Sequence, residues 1–181
     1  GTPTVIKYGT VRQIPLGLPI PGPTLPAIFN FPSDRPTPGD TQFFGGGNVA
    51  TSTLTQTVDL SGAAGGIDTG TTPFKLSGFL GGAMIDPSAA SIKVTFLDAT
   101  GTQLGVGKVA PVGPFERWFQ TGLLERSTEG TIPAGTRTAQ VVVTLKDSNP
   151  LTGGYNNAFA DEDIADFVTR VRTFLGRKDD Q

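Results

Sequence analysis

Thr138-Ala139-Gln140-Val141-Val142-Val143-Thr144-Leu145-Lys146 carries three consecutive valines between two threonines, with neither glycine nor proline. β-branched side chains pack well on a pleated surface and lose rotamer freedom in a helix, so these nine residues read as a central strand. Just before them, Ile132-Pro133-Ala134-Gly135-Thr136 puts Pro and Gly at β-turn positions. Working outward, Ser91 to Asp98 alternates Ile92, Val94 and Phe96 against Lys93 and Thr95, and meets a turn at Asp98-Ala99-Thr100-Gly101. Gln103 to Val109 is then the hairpin partner. Ala50 to Leu60 alternates Leu54, Val58 and Leu60 against a row of threonines. Phe74 to Leu80 is a short strand expected to stop at Gly81-Gly82, and Phe119 to Arg126 is a further strand. Gly45-Gly46-Gly47 marks a turn or a close backbone approach, and Ser61 to Gly70 a glycine-rich loop. Strands this short and this regularly punctuated predict an all-β fold, an antiparallel β-sandwich. The expected core is Leu54, Val58, Leu60, Phe74, Leu76, Ile92, Val94, Phe96, Val141, Val143 and Leu145.

The whole chain has 181 residues, enough for one domain with a sizeable core. It contains no cysteine and no histidine. That removes disulfides, thiolate nucleophiles, imidazole bases and His- or Cys-ligated metals together. Fourteen Lys and Arg against sixteen Asp and Glu give a net charge of -2, so no basic excess exists to neutralise phosphates, and nucleic acid is not an expected partner. No stretch approaches the length of an apolar membrane span. The sequence opens on Gly1 with no signal-peptide pattern near it, as expected of a processed chain or an excised piece.

The first forty residues differ in kind. Between Gln13 and Asp40 lie Pro15, Pro19, Pro21, Pro23, Pro26, Pro32, Pro36 and Pro38, interleaved with Ile14, Leu16, Leu18, Ile20, Leu25 and Ile28. Proline lacks a donor and fixes φ, so neither helix nor central strand runs from Leu16 to Pro26. The apolar content argues against a solvated linker. Residues 1–40 are expected to form a Pro-rich extended N-terminal arm docked on an apolar surface of its own domain or of a neighbour; 41–175 form the sandwich and 176–181 a charged tail. From Asp161 to Leu175 two periods compete. Ile164, Phe167, Val168, Val171, Phe174 and Leu175 fit a helix, whereas Phe167 to Phe174 also alternates as a strand would.

Several ordered pieces resemble bacterial secreted galactose-binding-like modules with a jelly-roll fold. They are Gly39-Asp40-Thr41-Gln42-Phe43-Phe44-Gly45-Gly46-Gly47, Leu54 to Ser61, Ile67-Asp68-Thr69-Gly70, Phe74 to Gly82, Val94 to Asp98, Ile132 to Arg137 and Tyr155-Asn156-Asn157-Ala158-Phe159-Ala160-Asp161. The resemblance spans Thr41 to Val171. It implies a strand after Asp163, a secreted or extracellular setting, and a non-catalytic module that binds carbohydrate or mediates adhesion.

The residues with chemistry to offer fall in two groups. Trp118 is the single tryptophan and follows Glu116 and Arg117; Tyr155 precedes Asn156 and Asn157. An aromatic ring beside planar donors and acceptors suits recognition of sugar hydroxyls over an apolar pyranose face, although core or edge packing is the commoner use of such a ring. The second group is acidic. Asp161, Glu162, Asp163 and Asp166 cluster in sequence, and hard oxygen ligands at that density suit Ca²⁺. The resemblance implies a structural Ca²⁺, with Asp40, Asp161 and Asp163 as ligands; a solvated acidic loop is the plainer alternative. No catalytic residues are singled out. Two functions compete: a binding or adhesion module for a glycan or cell-surface polymer, and a structural subunit of an extracellular filament, pilus or surface layer that self-assembles through residues 1–40.

Overall fold

A computed structural model describes residues 1–8, 11–15, 26–30, 42–148 and 155–161, with backbone only for 11–15 and 26–30. The strands are β1 (Thr4–Lys7), β2 (Val11–Pro15), β3 (Pro26–Asn30), β4 (Gln42–Gly47), β5 (Thr51–Asp59), β6 (Pro73–Gly82), β7 (Ala89–Leu97), β8 (Gln103–Val109), β9 (Gly122–Thr131), β10 (Thr138–Lys146) and β11 (Asn156–Asp161). One sheet runs β1-β4-β11-β6-β9 and the other β5-β10-β7-β8. From β4 onward the chain changes sheet at every connection except the β7–β8 hairpin. That wrapping, with every neighbouring pair antiparallel, is a jelly-roll sandwich.

β10 lies between β5 and β7 with an unbroken nine-residue register on both sides, setting Val141 against Val94 and Val143 against both Ile92 and Leu54. Because strand side chains alternate, Ala139, Val141, Val143 and Leu145 all point between the sheets and are buried. Val58, Leu60, Phe74, Leu76, Ile92, Val94, Phe96, Val141, Val143 and Leu145 form one cluster, with Leu54 packed on it half-buried. Each such side chain withdrawn from water contributes about 1.5–3 kcal/mol. Every expected core residue lies in this core, which also takes in Ile67, Leu80, Val109, Val112 and Ile132.

A second cluster lies apart from it. In β11, Ala158 and Ala160 join the main core, while Phe159 points the other way and packs with Ile6, Tyr8, Phe43 and Ala83. The Phe159 and Phe43 ring centroids are 5.2 Å apart at 72°, an edge-to-face contact. Phe159 fits there because its register partners are Gly45 and Gly81, which place no side chain beside it.

Four expectations are corrected. Gly81 and Gly82 do not end β6 but complete it: a Cβ on Gly81 would sit 1.8 Å from the Gly122 carbonyl oxygen of β9. The strand expected from Phe119 starts instead at Gly122, leaving Phe119 in a loop. The glycine-rich segment after β5 coils into a 3₁₀ turn, Ser61–Ala63, and a single α-turn, Ala64–Ile67. The largest correction concerns the start of the segment expected to be an arm. Thr4–Lys7 is an edge strand of the sandwich, and Gly1 is tied to β5 through its amine on the Thr51 carbonyl (3.0 Å). Lys7 pairs with Gln42, so the excursion of the chain between them starts and ends at the same sheet edge. Within it β2 and β3 pair with each other, Val11 against Asn30 through Pro15 against Pro26. The prolines of 16–25 and the strand or helix expected after Asp163 lie outside the described residues.

Candidate binding site

Two loops meet at one end of the sandwich. The β6–β7 loop (residues 83–88) and the β8–β9 loop (110–121) both cross between the sheets, and the pairing of Gly82 with Gly122 brings their bases together. The residue that joins them is Arg117. Its side chain turns inward and the residue is only 4% exposed. Nη1 donates to the carbonyls of Gly82 (2.8 Å), Met84 (3.2 Å) and Gln120 (2.5 Å), and Nη2 to that of Asp86 (3.3 Å). Burial pulls the guanidinium below its ordinary pKa, and the charges of Asp86 and Glu116 oppose that pull.

Around this anchor the loop backbone is strained. Met84, Trp118 and Phe119 all adopt left-handed φ values, 40°, 52° and 58°. Each is a non-glycine residue in a region that costs on the order of 1 kcal/mol or more. The turn is closed by Trp118 N–H on the Phe115 carbonyl (3.1 Å), Phe119 N–H on that of Pro114 (2.8 Å) and Gln120 N–H on that of Arg117 (3.0 Å). Left-handed backbone at 118 and 119 throws both rings outward. Trp118 is 83% exposed and Phe115 78%, and Phe115 stacks edge-on against Phe119 at 5.0 Å. Across the junction Met84 and Ile85 are also exposed. The Met84 N–H donates to Thr121 Oγ1 (3.2 Å), tying the second loop to the first.

Glu116 braces the loop from below. One carboxylate oxygen accepts the Gly113 N–H (2.7 Å) and the other the Arg126 guanidinium (2.6 Å). The first of these, helped by the second, holds its carboxyl below the usual glutamate pKa.

The sequence-derived candidates thus separate. Trp118 is at the surface, Arg117 is directly beneath it, and Glu116 supports the turn. Tyr155, Asn156 and Asn157 do not join Trp118 at the surface: all three are buried. Asn156 donates from Nδ2 to the Leu145 carbonyl (2.8 Å) and accepts the Ala158 N–H at Oδ1 (3.1 Å). Asn157 Nδ2 donates to Asp86 Oδ2 (2.8 Å), while its buried Oδ1 has no protein partner. These amides satisfy the start of β11 and brace the Asp86 loop; a surface ligand does not reach them. Of the expected calcium ligands, Asp161 accepts the Tyr8 hydroxyl, and Asp40 and Asp163 lie outside the described residues. Among the described residues no three acidic side chains come together as a cation cage. Sequence reasoning missed Phe115, Phe119, Met84 and Ile85. The usable signal was Pro114, which starts the turn with Phe115 next to it.

Comparison with known proteins adds fold-level context. No family model matches the chain, and no curated protein sequence matches it. Among solved structures, the enzymatically active domain of bacteriophage CBA120 tailspike protein 4 aligns over 88% of this chain and 18% of its own, at 16% identity and a TM-score of 0.45. A family 16 carbohydrate-binding module aligns over 69% of this chain and 76% of its own, at 14% identity and a TM-score of 0.45. A Clostridium thermocellum xylanase 10B structure containing a family 22 carbohydrate-binding module and a catalytic module, in complex with xylohexaose, covers 69% of this chain and 22% of its own, at 12% identity and a TM-score of 0.36. The chain therefore spans about a fifth of the length of the tailspike and xylanase chains. Overlap this distant carries no argument about fold or ligands.

Proposed function

We propose that this chain is a non-catalytic binding module that holds carbohydrate on the exposed ring of Trp118. The observation that carries the reading is the combination of an 83% exposed tryptophan with the backbone strain and buried arginine that hold it there. A large apolar ring in water costs free energy, and so does left-handed backbone; both are kept where a ligand face repays them. The catalytic alternative lacks support at this site, since both Glu116 oxygens are engaged and Asp86 is buried in a bond to Asn157. An extracellular setting goes with the ligand class. The test is glycan binding by the intact chain and by Trp118→Ala. The expected result is at least a ten-fold weaker signal for the variant with an unchanged melting temperature, because the ring touches solvent rather than core. An unaltered signal would remove Trp118 from the site.

A second reading, self-assembly of a structural subunit, is favoured by one feature of the excursion. No charged residue occurs between Arg12 and Asp34; among the described residues β2 and β3 pair only with each other, and a two-stranded sheet is marginal in water without a further partner. A second copy of the chain would supply that partner without like-charge repulsion.

A further inference from the structure

Five of the large exposed hydrophobic side chains, Met84, Ile85, Phe115, Trp118 and Phe119, stand on the two loops joined by Arg117. From this surface we infer the kind of carbohydrate bound, resting on the reading above: the packed face of an insoluble, uncharged polysaccharide, rather than a soluble oligosaccharide or an anionic glycan.

Three properties of the loops lead there. The first is charge. Residues 83–88 and 110–121 contain only Asp86, Glu116 and Arg117 as ionisable groups. Arg117 and Asp86 are buried, and Glu116 has both oxygens occupied by Arg126 and Gly113. No free cation is left on the loops to pair with uronate, sulfate or phosphate groups, and the one exposed carboxylate, Glu116, is already ion-paired with Arg126. The second is shape. Side chains as exposed as Phe115, Trp118 and Ile85 have little protein around them, so they cover one face of a ligand and do not wrap it. A soluble chain held on one face gains little and still loses its translational and conformational freedom on binding. A chain already fixed in a solid has lost most of that freedom beforehand, so the same contact is retained as affinity. The third is rigidity. The turn hydrogen bonds and Arg117 fix the backbone that carries the rings before contact, which lowers the matching cost on the protein side. A lipid surface fits less well. Apolar insertion without basic residues is a single weak membrane signal, and the net charge of -2 repels anionic headgroups.

The experiment is a depletion assay with the full chain against microcrystalline cellulose and chitin particles, beside soluble cello- and chito-hexaoses and phosphatidylcholine vesicles. Trp118, the sole tryptophan, reports soluble binding by its own fluorescence. Expected are partition onto at least one solid that changes less than two-fold between low and 0.5 M salt, a fall of ten-fold or more in Trp118→Ala, and no fluorescence response to either hexaose at millimolar concentration. Phe115→Ala should weaken partition several-fold while keeping the melting temperature, which guards against a folding artefact. Equal affinity for a soluble hexaose, or loss of binding with salt, overturns this inference and leaves the carbohydrate reading standing. Binding to vesicles but to no glycan, solid or soluble, overturns both, as does binding to nothing at all.

Discussion

At the scale of single residues, Arg117 has the largest reach. One guanidinium donates to four backbone carbonyls in two loops, and its planar fork is what allows it to span them. A lysine ammonium is compact and cannot reach all four. Arg117→Lys is expected to leave buried carbonyls without donors at a cost of about 1–3 kcal/mol, and to free the Trp118 turn. Lower fluorescence anisotropy of Trp118 at a temperature where the sandwich remains folded would show it; unchanged anisotropy would mean that the turn hydrogen bonds suffice. Glu116 makes the same turn sensitive to acid. Its carboxyl lies below the ordinary value when folded, so its contribution is present above the unfolded value and is lost as pH falls through the lowered one. Trp118 anisotropy should therefore drop on acidification in the native chain, and Glu116→Gln should show the low anisotropy already at neutral pH.

Elements differ in how far their own sequence specifies them. β10 and β8 were legible to the residue, because each is a regular run bounded by turn residues and each lies beside a fully paired neighbour. β11 was not: Asn156-Asn157-Ala158-Phe159-Ala160 has no alternation of polar and apolar, since both of its faces are covered. Its two faces serve different clusters, and substitutions separate them. Val143→Asp in β10 puts an unpaired charge between the sheets and is expected to cost more than about 4 kcal/mol, a large fraction of the stability of a typical domain. Phe159→Ala opens a cavity in the outer cluster and should cost about 3–5 kcal/mol, with the main core intact. Denaturant melts read both, and a Val143→Asp variant that melts normally would reverse the face assignment. The Trp118 loop was half legible. The lone tryptophan stood out, but burial of the adjacent Arg117 depends on carbonyls 31 to 35 residues away in the chain, which no local pattern announces.

For the molecule as a whole, the position of residues 9–41 sets what can be removed. Because Lys7 and Gln42 are paired, residues 9–41 can be replaced by two residues, which with Tyr8 make a three-residue hairpin loop, without pulling the strands apart. That variant should keep the melting temperature within a few degrees and run as a monomer. If the full chain forms larger species that the variant does not, the excursion is the assembly element; if both are monomers at every concentration, self-assembly fails. Removing residues 1–8 is a different matter, since it takes Ile6 and Tyr8 from the outer cluster. It should destabilise by about 2–4 kcal/mol. The sequence by itself determined the strand class, the turns, the main core and the absence of imidazole and thiol chemistry, because these follow from side-chain type, period and composition over a few residues. Only the tertiary structure decided that the first strand belongs to the sandwich, that Tyr155, Asn156 and Asn157 are interior, and that Trp118 faces water. Each of those outcomes rests on contacts between segments far apart in the chain, and a buried carbonyl or a neighbouring glycine selects the direction of a side chain that its own neighbours leave open.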